Sequence, residues 1–164
     1  MCIRDSVIAR AVRVETVNAD GARHDAEIIA IDEARDLAVL RVDQPAPPIV
    51  FRRDDPEVGL HACAIANSFG LGLSFSCGVV SATHRRDVGF NAIEDFVQTD
   101  AAVNPGASGG ALVDPQGRLI GLIDGIFTKE ADIDAGVNFA VSVPMIIESL
   151  DELRPARADI PVPK

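Results

Sequence analysis

Tryptophan and tyrosine are absent from the 164 residues, and basic residues are scarce beside acidic ones. Lysine plus arginine is 15 and aspartate plus glutamate is 25, a net charge of −10. Nucleic acid and anionic membranes would repel such a chain, which argues against both as partners. Cysteine is sparse: Cys2, Cys63 and Cys77 make an odd number with no C-x-x-C pair, so neither a zinc site nor a disulfide framework is indicated. A Cys63–Cys77 bridge is geometrically open, but buried free thiols are the favoured expectation. No apolar run reaches 18 residues; the uncharged stretch Ala62–Thr83 comes closest and is broken by Asn67, Gly70, Gly72 and serines. No internal repeat is long enough to indicate a repeat architecture.

What is present is a globular composition, 48% hydrophobic and 24% charged, in 17.3 kDa, room for one domain. Thirteen glycines and ten prolines predict many turns. Met1–Ser6 has no apolar signal-peptide core and is similar to a translation of sequencing-adapter DNA. The native chain is therefore expected to begin upstream and join near residue 7, leaving localisation unread. From there Val7–Val17 reads as strand-like, with Val12 and Val14 alternating before the turn Asn18–Gly21. His24–Asp32 and Asp36–Val42 are further strands around a bend at Glu33–Arg35. Pro45, Pro47 and Pro48 exclude a central strand and mark a connection between subdomains. Six more short strands follow at Leu60–Ala66, Ser74–Ala82, Glu94–Thr99, Gly109–Val113, Leu119–Ile126 and Val137–Val143. That density predicts an all-β barrel or sandwich. Pro144–Leu153 is the one expected helix, with Pro144 at its first position and Ile146, Leu150 and Leu153 on one face. Arg154–Lys164 reads as a Pro-rich tail or linker.

The strongest chemical signal is Asn104-Pro105-Gly106-Ala107-Ser108-Gly109-Gly110. A nucleophilic serine needs a tight turn that exposes its Oγ and backbone N–H groups aimed at a developing oxyanion. Glycines permit both. Taken alone, the same residues also fit an ordinary Gly-rich hairpin turn. A phosphate cradle has no GK[ST] or strand–loop–helix context to support it.

The segment FVQTDAAVNPGASGGALVDPQGRLIGLIDGI from Phe96 resembles the nucleophile region of HtrA/Deg (Do-like) serine proteases of the chymotrypsin-like superfamily. The resemblance runs back through AIANSFGLG, GVVSA and DGARHDAEIIAIDEARDLAVLRV and forward to GVNFAVSVP, from residue 7 to about 150 in family order. It implies a double β-barrel with the first barrel incomplete and one C-terminal helix. Ser108 matches the nucleophile, Asp36 the acid that orients the catalytic imidazole, and the N–H groups of Gly106 and Ser108 the oxyanion hole. The family's histidine base precedes its aspartate by roughly 30 residues in an H-V-V or H-V-I run. Counting back from Asp36 lands on Ser6, followed by Val7-Ile8. His24, His61 and His84 fall at positions where surface or loop histidines are expected, so the base is absent and the parent is expected to read His-Val-Ile.

The resemblance places Ala102 at the base of the S1 pocket, which implies a small or apolar P1 residue. Leu122, Ile123, Asp124 and Gly125 match the edge strand that pairs with substrate, and Phe139 helps wall the pocket. Ala107, Ala66 and Ser68 depart from the family pattern with little expected effect. Asp124 replaces a usual asparagine, either adding charge beside the groove or facing solvent. The expected organisation is a leader at 1–6, a protease domain at 7–153 and a tail at 154–164. Within the domain lie a barrel remnant (7–48), a second barrel (58–143) and the helix (144–153). The implied activity is cofactor-independent, metal-independent endopeptidase action on unfolded or exposed polypeptides in the cell envelope or periplasm. Family members often form trimers and carry PDZ domains, and the resemblance extends both expectations to the parent. The alternatives are a catalytically inactive peptide-binding module of the same fold and a structural β domain in which NPGASGG is only a turn.

Overall fold

A computed structural model of the chain describes residues 2–3, 5–8, 13–18, 20–43, 47–126 and 136–154. The expectations for Val12, Pro45 and residues 155–164 lie outside these. The described elements are β1 (Cys2–Ile3), α1 (Asp5–Ile8), β2 (Val14–Val17), β3 (Arg23–Asp32), β4 (Leu37–Val42), β5 (His61–Ala66), β6 (Ser74–Arg85), β7 (Phe96–Thr99), β8 (Ala111–Val113), β9 (Leu119–Ile126), β10 (Asn138–Ser142) and α2 (Val143–Leu153). Asp5–Ile8 is helical, which corrects the strand expected from Val7 onward. The branched Val7-Ile8 pair favours a strand locally, but Ile8 is buried against Ala38 and Leu40, and that contact overrides propensity.

The N-terminal part is an open four-stranded sheet in the order β1-β4-β3-β2, and the rest closes as a six-stranded barrel, β10-β7-β6-β5-β8-β9. The barrel wall alternates as the pleat demands. Ala62, Ala64 and Ala66 of β5 point inward, and their small side chains leave room for Leu112, Ile120 and Ile123. Strand β6 pairs with β5 over its first half and with β7 over its second. Gly78 lies near that changeover because a Cβ there would collide with the Asp100 carboxylate and the Ala101 backbone. A second core forms between sheet and barrel, where Ile29, Leu37 and Val39 meet Phe96, Leu122, Phe139 and the apolar side of α2.

Helix α2 starts one residue before the expected Pro144, capped by Ser142, whose hydroxyl accepts from the Met145 N–H at 3.3 Å. It is pinned to the β3–β4 turn through polar groups. Arg35, 5% exposed, donates to Asp32 at 2.9 Å and to Glu152 at 2.8 and 3.0 Å. The Ser149 hydroxyl donates to Asp32 at 2.6 Å. Bonding to Glu152 outweighs burial and holds the guanidinium above its ordinary pKa. Burial would raise the Asp32 carboxyl, but Ser149 and Arg35 together hold it below its ordinary value.

Cys63 and Cys77 form a disulfide, which corrects the expectation of free thiols. The two residues are directly opposite in the β5–β6 register, a relation that the separate strand spans did not reveal. Both point away from the barrel interior, Cys63 half-buried and Cys77 exposed.

Two stability outcomes are expected. Replacing Cys63 by Ser lowers stability by about 2–3 kcal/mol, from the loop closed across a sequence separation of 14, and mild reduction of the parent has the same effect. Arg35→Ala costs about 3 kcal/mol because it removes a buried guanidinium that pairs with the half-buried Asp32, whereas Glu152→Ala, at a 57% exposed partner, costs under about 1 kcal/mol. Urea denaturation with and without reductant measures both.

Candidate active site

Two consecutive turns present Ser108. The Ala107 N–H donates to the Asn104 carbonyl at 2.9 Å, with Pro105 and Gly106 between them and Gly106 at φ 93°. That is the type II pattern, in which proline presets the first corner and glycine takes the positive φ of the second. The Gly110 N–H then donates to the Ala107 carbonyl at 2.9 Å, with Gly109 at φ 81° in the corresponding corner. Ser108 is thereby the leading corner of the second turn, half-buried. The double turn is fixed to β9 by Gly109 N–H to the Ile123 carbonyl and Ile123 N–H to the Gly110 carbonyl, both 2.8 Å. On its other side, the Phe69 N–H donates to the Pro105 carbonyl at 2.7 Å, and a Cβ on Gly106 would sit 2.8 Å from the Asn67 carbonyl. Substitution at Gly106 is therefore blocked by both conformation and contact.

The Ser108 hydroxyl donates to the backbone carbonyl of Asp124 at 3.1 Å. That carbonyl belongs to a β-bulge. Gly125 faces Phe139 and Ile123 faces Ala140, so Asp124 is the extra residue on β9. Leu122 pairs with Ala111 on one side and Val141 on the other, so it is not an edge residue as expected. Barrel closure supplies both neighbours, and only beyond Ile123 does β9 outrun the three-residue β8. The Asp124 side chain does not face solvent. It is 1% exposed, and one carboxylate oxygen accepts from Asn91 Nδ2 at 3.0 Å. Gly125 lies under the Phe90 ring, where an added Cβ would be 3.6 Å from Phe90 Cε2. Phe139 is buried, packed edge-on against Phe90 and tilted against Phe96. Ala102 is exposed between buried Ala101 and Val103.

Asp36 closes the Glu33–Asp36 turn at φ 53°, a left-handed conformation that aspartate tolerates better than most residues. It is 8% exposed. Ser6 meets it with two donors: its N–H reaches Oδ1 at 2.5 Å and its hydroxyl reaches Oδ2 at 2.8 Å. The fold thus brings together two positions 30 residues apart, held by the burial of Ile8 in the open sheet.

The histidines lie elsewhere. His24 sits on β3 beside Asn18 Nδ2 at 3.2 Å, and His61 opens β5, exposed. His84 bridges two carboxylates, with Nε2 3.0 Å from Asp55 and Nδ1 3.0 Å from Asp95. Asp55 and then Asp95 raise its pKa above the ordinary value. Several supporting residues escaped the reading of the sequence. Thr99 donates to the Val79 carbonyl at 2.8 Å and accepts from the Ala101 N–H at 3.1 Å. Asn138 Nδ2 donates to the Ala101 carbonyl at 2.9 Å, and Asn91 and Glu94 hold the loop above Asp124. Buried polar residues in a strand, such as Thr99 and Asn138, were the one available signal.

An open sheet, a closed barrel and a serine in a glycine double turn define a trypsin-like peptidase domain, and the chain belongs to that family. The family model described as "Trypsin-like peptidase domain" matches residues 2–122. Within the family the relatives it matches are of HtrA type. The chain is 34% identical over 143 residues to periplasmic serine endoprotease DegP of Escherichia coli K12, covering 85% of this chain and 30% of that protein. It is 37% identical over 155 residues to protease Do-like 1, chloroplastic, of Arabidopsis thaliana, covering 90% of this chain and 35% of that one. The solved HtrA-type protease AlgW with tripeptide superposes with a TM-score of 0.88 at 38% identity, over 93% of this chain and 51% of that one. The chain therefore spans about a third of the length of these curated relatives.

A pH dependence follows from His84. Its raised folded pKa means that its ion pairs stabilise the fold fully below the unfolded value of 6.5 and are lost as pH rises through the folded value. His84→Gln is expected to lower the urea midpoint at acid pH and to leave it unchanged well above neutrality. Equal loss at both ends would contradict the ion-pair account.

Proposed function

We propose that the chain is the serine endopeptidase domain of an HtrA-type protease, with Ser108 as nucleophile and Asp36 as the acid that orients the base. The N–H groups of Gly106 and Ser108 form the oxyanion hole, and position 6 is the place of the histidine. The double contact of Ser6 with the Asp36 carboxylate carries this reading. The residue that counting assigns to the base is the one seated on the acid. A serine there has no group able to take the Ser108 proton, so the chain as it stands is a protease site without its base.

With histidine at position 6, the imidazole takes the hydroxyl proton as Oγ attacks the scissile carbonyl. It then returns that proton to the leaving amine, and water hydrolyses the Ser108 ester by the reverse route. Ala102 forms the floor of S1 and Phe139 backs its wall, which favours small or apolar P1 residues. Asp124 and Gly125, beyond the end of β8, offer the free backbone edge to substrate. The chain is read as a protease domain over 7–153, with an N-terminal remnant at 7–48 and a second barrel at 58–143.

Polypeptides with exposed segments are the proposed substrates, acted on in the periplasm. The compartment is supported by the names of the bacterial relatives and by the Cys63–Cys77 disulfide, since such bonds persist in oxidising compartments. Trimer formation and an accompanying PDZ domain are proposed for the parent on family resemblance alone.

A fluorophosphonate probe tests the reading. The chain as given should label at Ser108 at least about 10⁴-fold more slowly than Ser6→His, and Ser108→Ala should abolish labelling in either background. Rapid labelling of the chain as given would overturn the account of the missing base. A folded Ser6→His variant that stays unlabelled would favour the peptide-binding module instead.

A further inference from the structure

The loop between β6 and β7 is closed by its own last residues in an unusual way. The Glu94 carboxylate accepts four successive backbone N–H groups, from Val88 at 2.6 Å, Gly89 at 3.0 Å, Phe90 at 2.6 Å and Asn91 at 3.0 Å. Burial alone would raise this carboxyl, but the four amides outweigh it and hold the group below its ordinary pKa, so it is charged at neutral pH. Four donors on one carboxylate fix the backbone of residues 88–91 more firmly than a loop of this kind is held by water.

Two of the side chains of the clamped segment, Phe90 and Asn91, land on β9. Phe90 lies over Gly125 and packs edge-on against Phe96 and Phe139, with centroids 6.0 and 5.7 Å apart. Asn91 donates to the Asp124 carboxylate, which is 1% exposed and needs a donor to be tolerated there. Asp124 is also the bulged residue whose main-chain carbonyl receives the Ser108 hydroxyl. A continuous path of contacts therefore runs from Glu94 through Asn91 and Asp124 to Ser108.

We propose that Glu94 and Asn91 are positioning residues for Ser108: the Glu94-clamped loop sets the Asp124 bulge, and the bulge sets the direction of the serine hydroxyl. The proposal rests on the assignment of Ser108 as nucleophile. The pairing of Asn91 with Asp124 is a matched set, since a buried carboxylate costs more to leave without this bond than a neutral amide would.

Hydrogen exchange read by mass spectrometry on the chain as given tests the path without any need for activity. Glu94→Gln and Asn91→Ala should each raise exchange in peptides covering 119–126 by about tenfold while leaving 23–32 unchanged. Adding Asp124→Asn to Asn91→Ala should restore protection, because the group buried at the bulge then carries no charge. Unchanged exchange at 119–126 in Glu94→Gln would overturn the proposal. In the Ser6→His background, Asn91→Ala should slow fluorophosphonate acylation of Ser108 by about 10- to 100-fold at unchanged probe affinity, with recovery in the Asp124→Asn double variant. Faster exchange with an unaltered acylation rate would also overturn it, reducing the loop to a structural part. If Ser6→His never labels, the nucleophile reading fails on its own, and the exchange arm still decides whether Glu94 controls the bulge.

Discussion

Two backbone hydrogen bonds between Ile123 and the Gly109–Gly110 turn join Ser108 to the barrel wall. Everything near Ser108 inherits its position from them. Because both partners of those bonds are main-chain groups, the serine is carried by the barrel itself and not by a side-chain contact that one substitution could remove. Closure of the barrel makes the anchor rigid: β9 is hydrogen-bonded to β10 along its length and to β8 at its start, so Ile123 has little freedom to shift. The glycines of the turn serve that attachment. They take the positive φ angles that a double turn requires and leave space for the 67–70 backbone to pack against it.

The second half of the site hangs on different supports. Asp36 sits in a turn that Arg35 and α2 hold from beneath, and the open sheet buries Ile8 so that Ser6 falls on the carboxylate. The apolar layer shared by sheet, barrel and helix keeps the two halves in one frame. Polar clamps at its margins, Arg35 with Glu152 on one side and His84 between Asp55 and Asp95 on another, tie connecting segments to that layer. The disulfide adds a covalent tie within the hairpin that reaches toward the serine turn.

Most strands, the helix and the paired turns were legible in the amino-acid order because each rests on local physics. Turn residues on either side mark Leu119–Ile126, proline marks the helix start, and Pro105-Gly106 with Gly109 marks the turns. Ser108 and Asp36 were singled out through the family pattern around them. Three readings went astray for one shared reason, that the deciding partner is distant in sequence. Val7-Ile8 looked like strand until burial against β4 made it helical. Cys63 and Cys77 looked unpaired until the register set them opposite each other. Leu122 looked like an edge until β10 closed the barrel.

Taken alone, the order of residues determined most element types, the turn that carries Ser108 and the distance back from Asp36 to Ser6. Those are short-range or one-dimensional facts, settled by dihedral preference and counting. Which side chains meet was decided only by the tertiary structure: Ser6 on Asp36, Asn91 on the buried Asp124, Glu94 on four amides of its own loop, and Cys63 on Cys77. Such contacts depend on register, bulges and closure, which arise from many weak long-range choices acting together and leave no local mark in the chain.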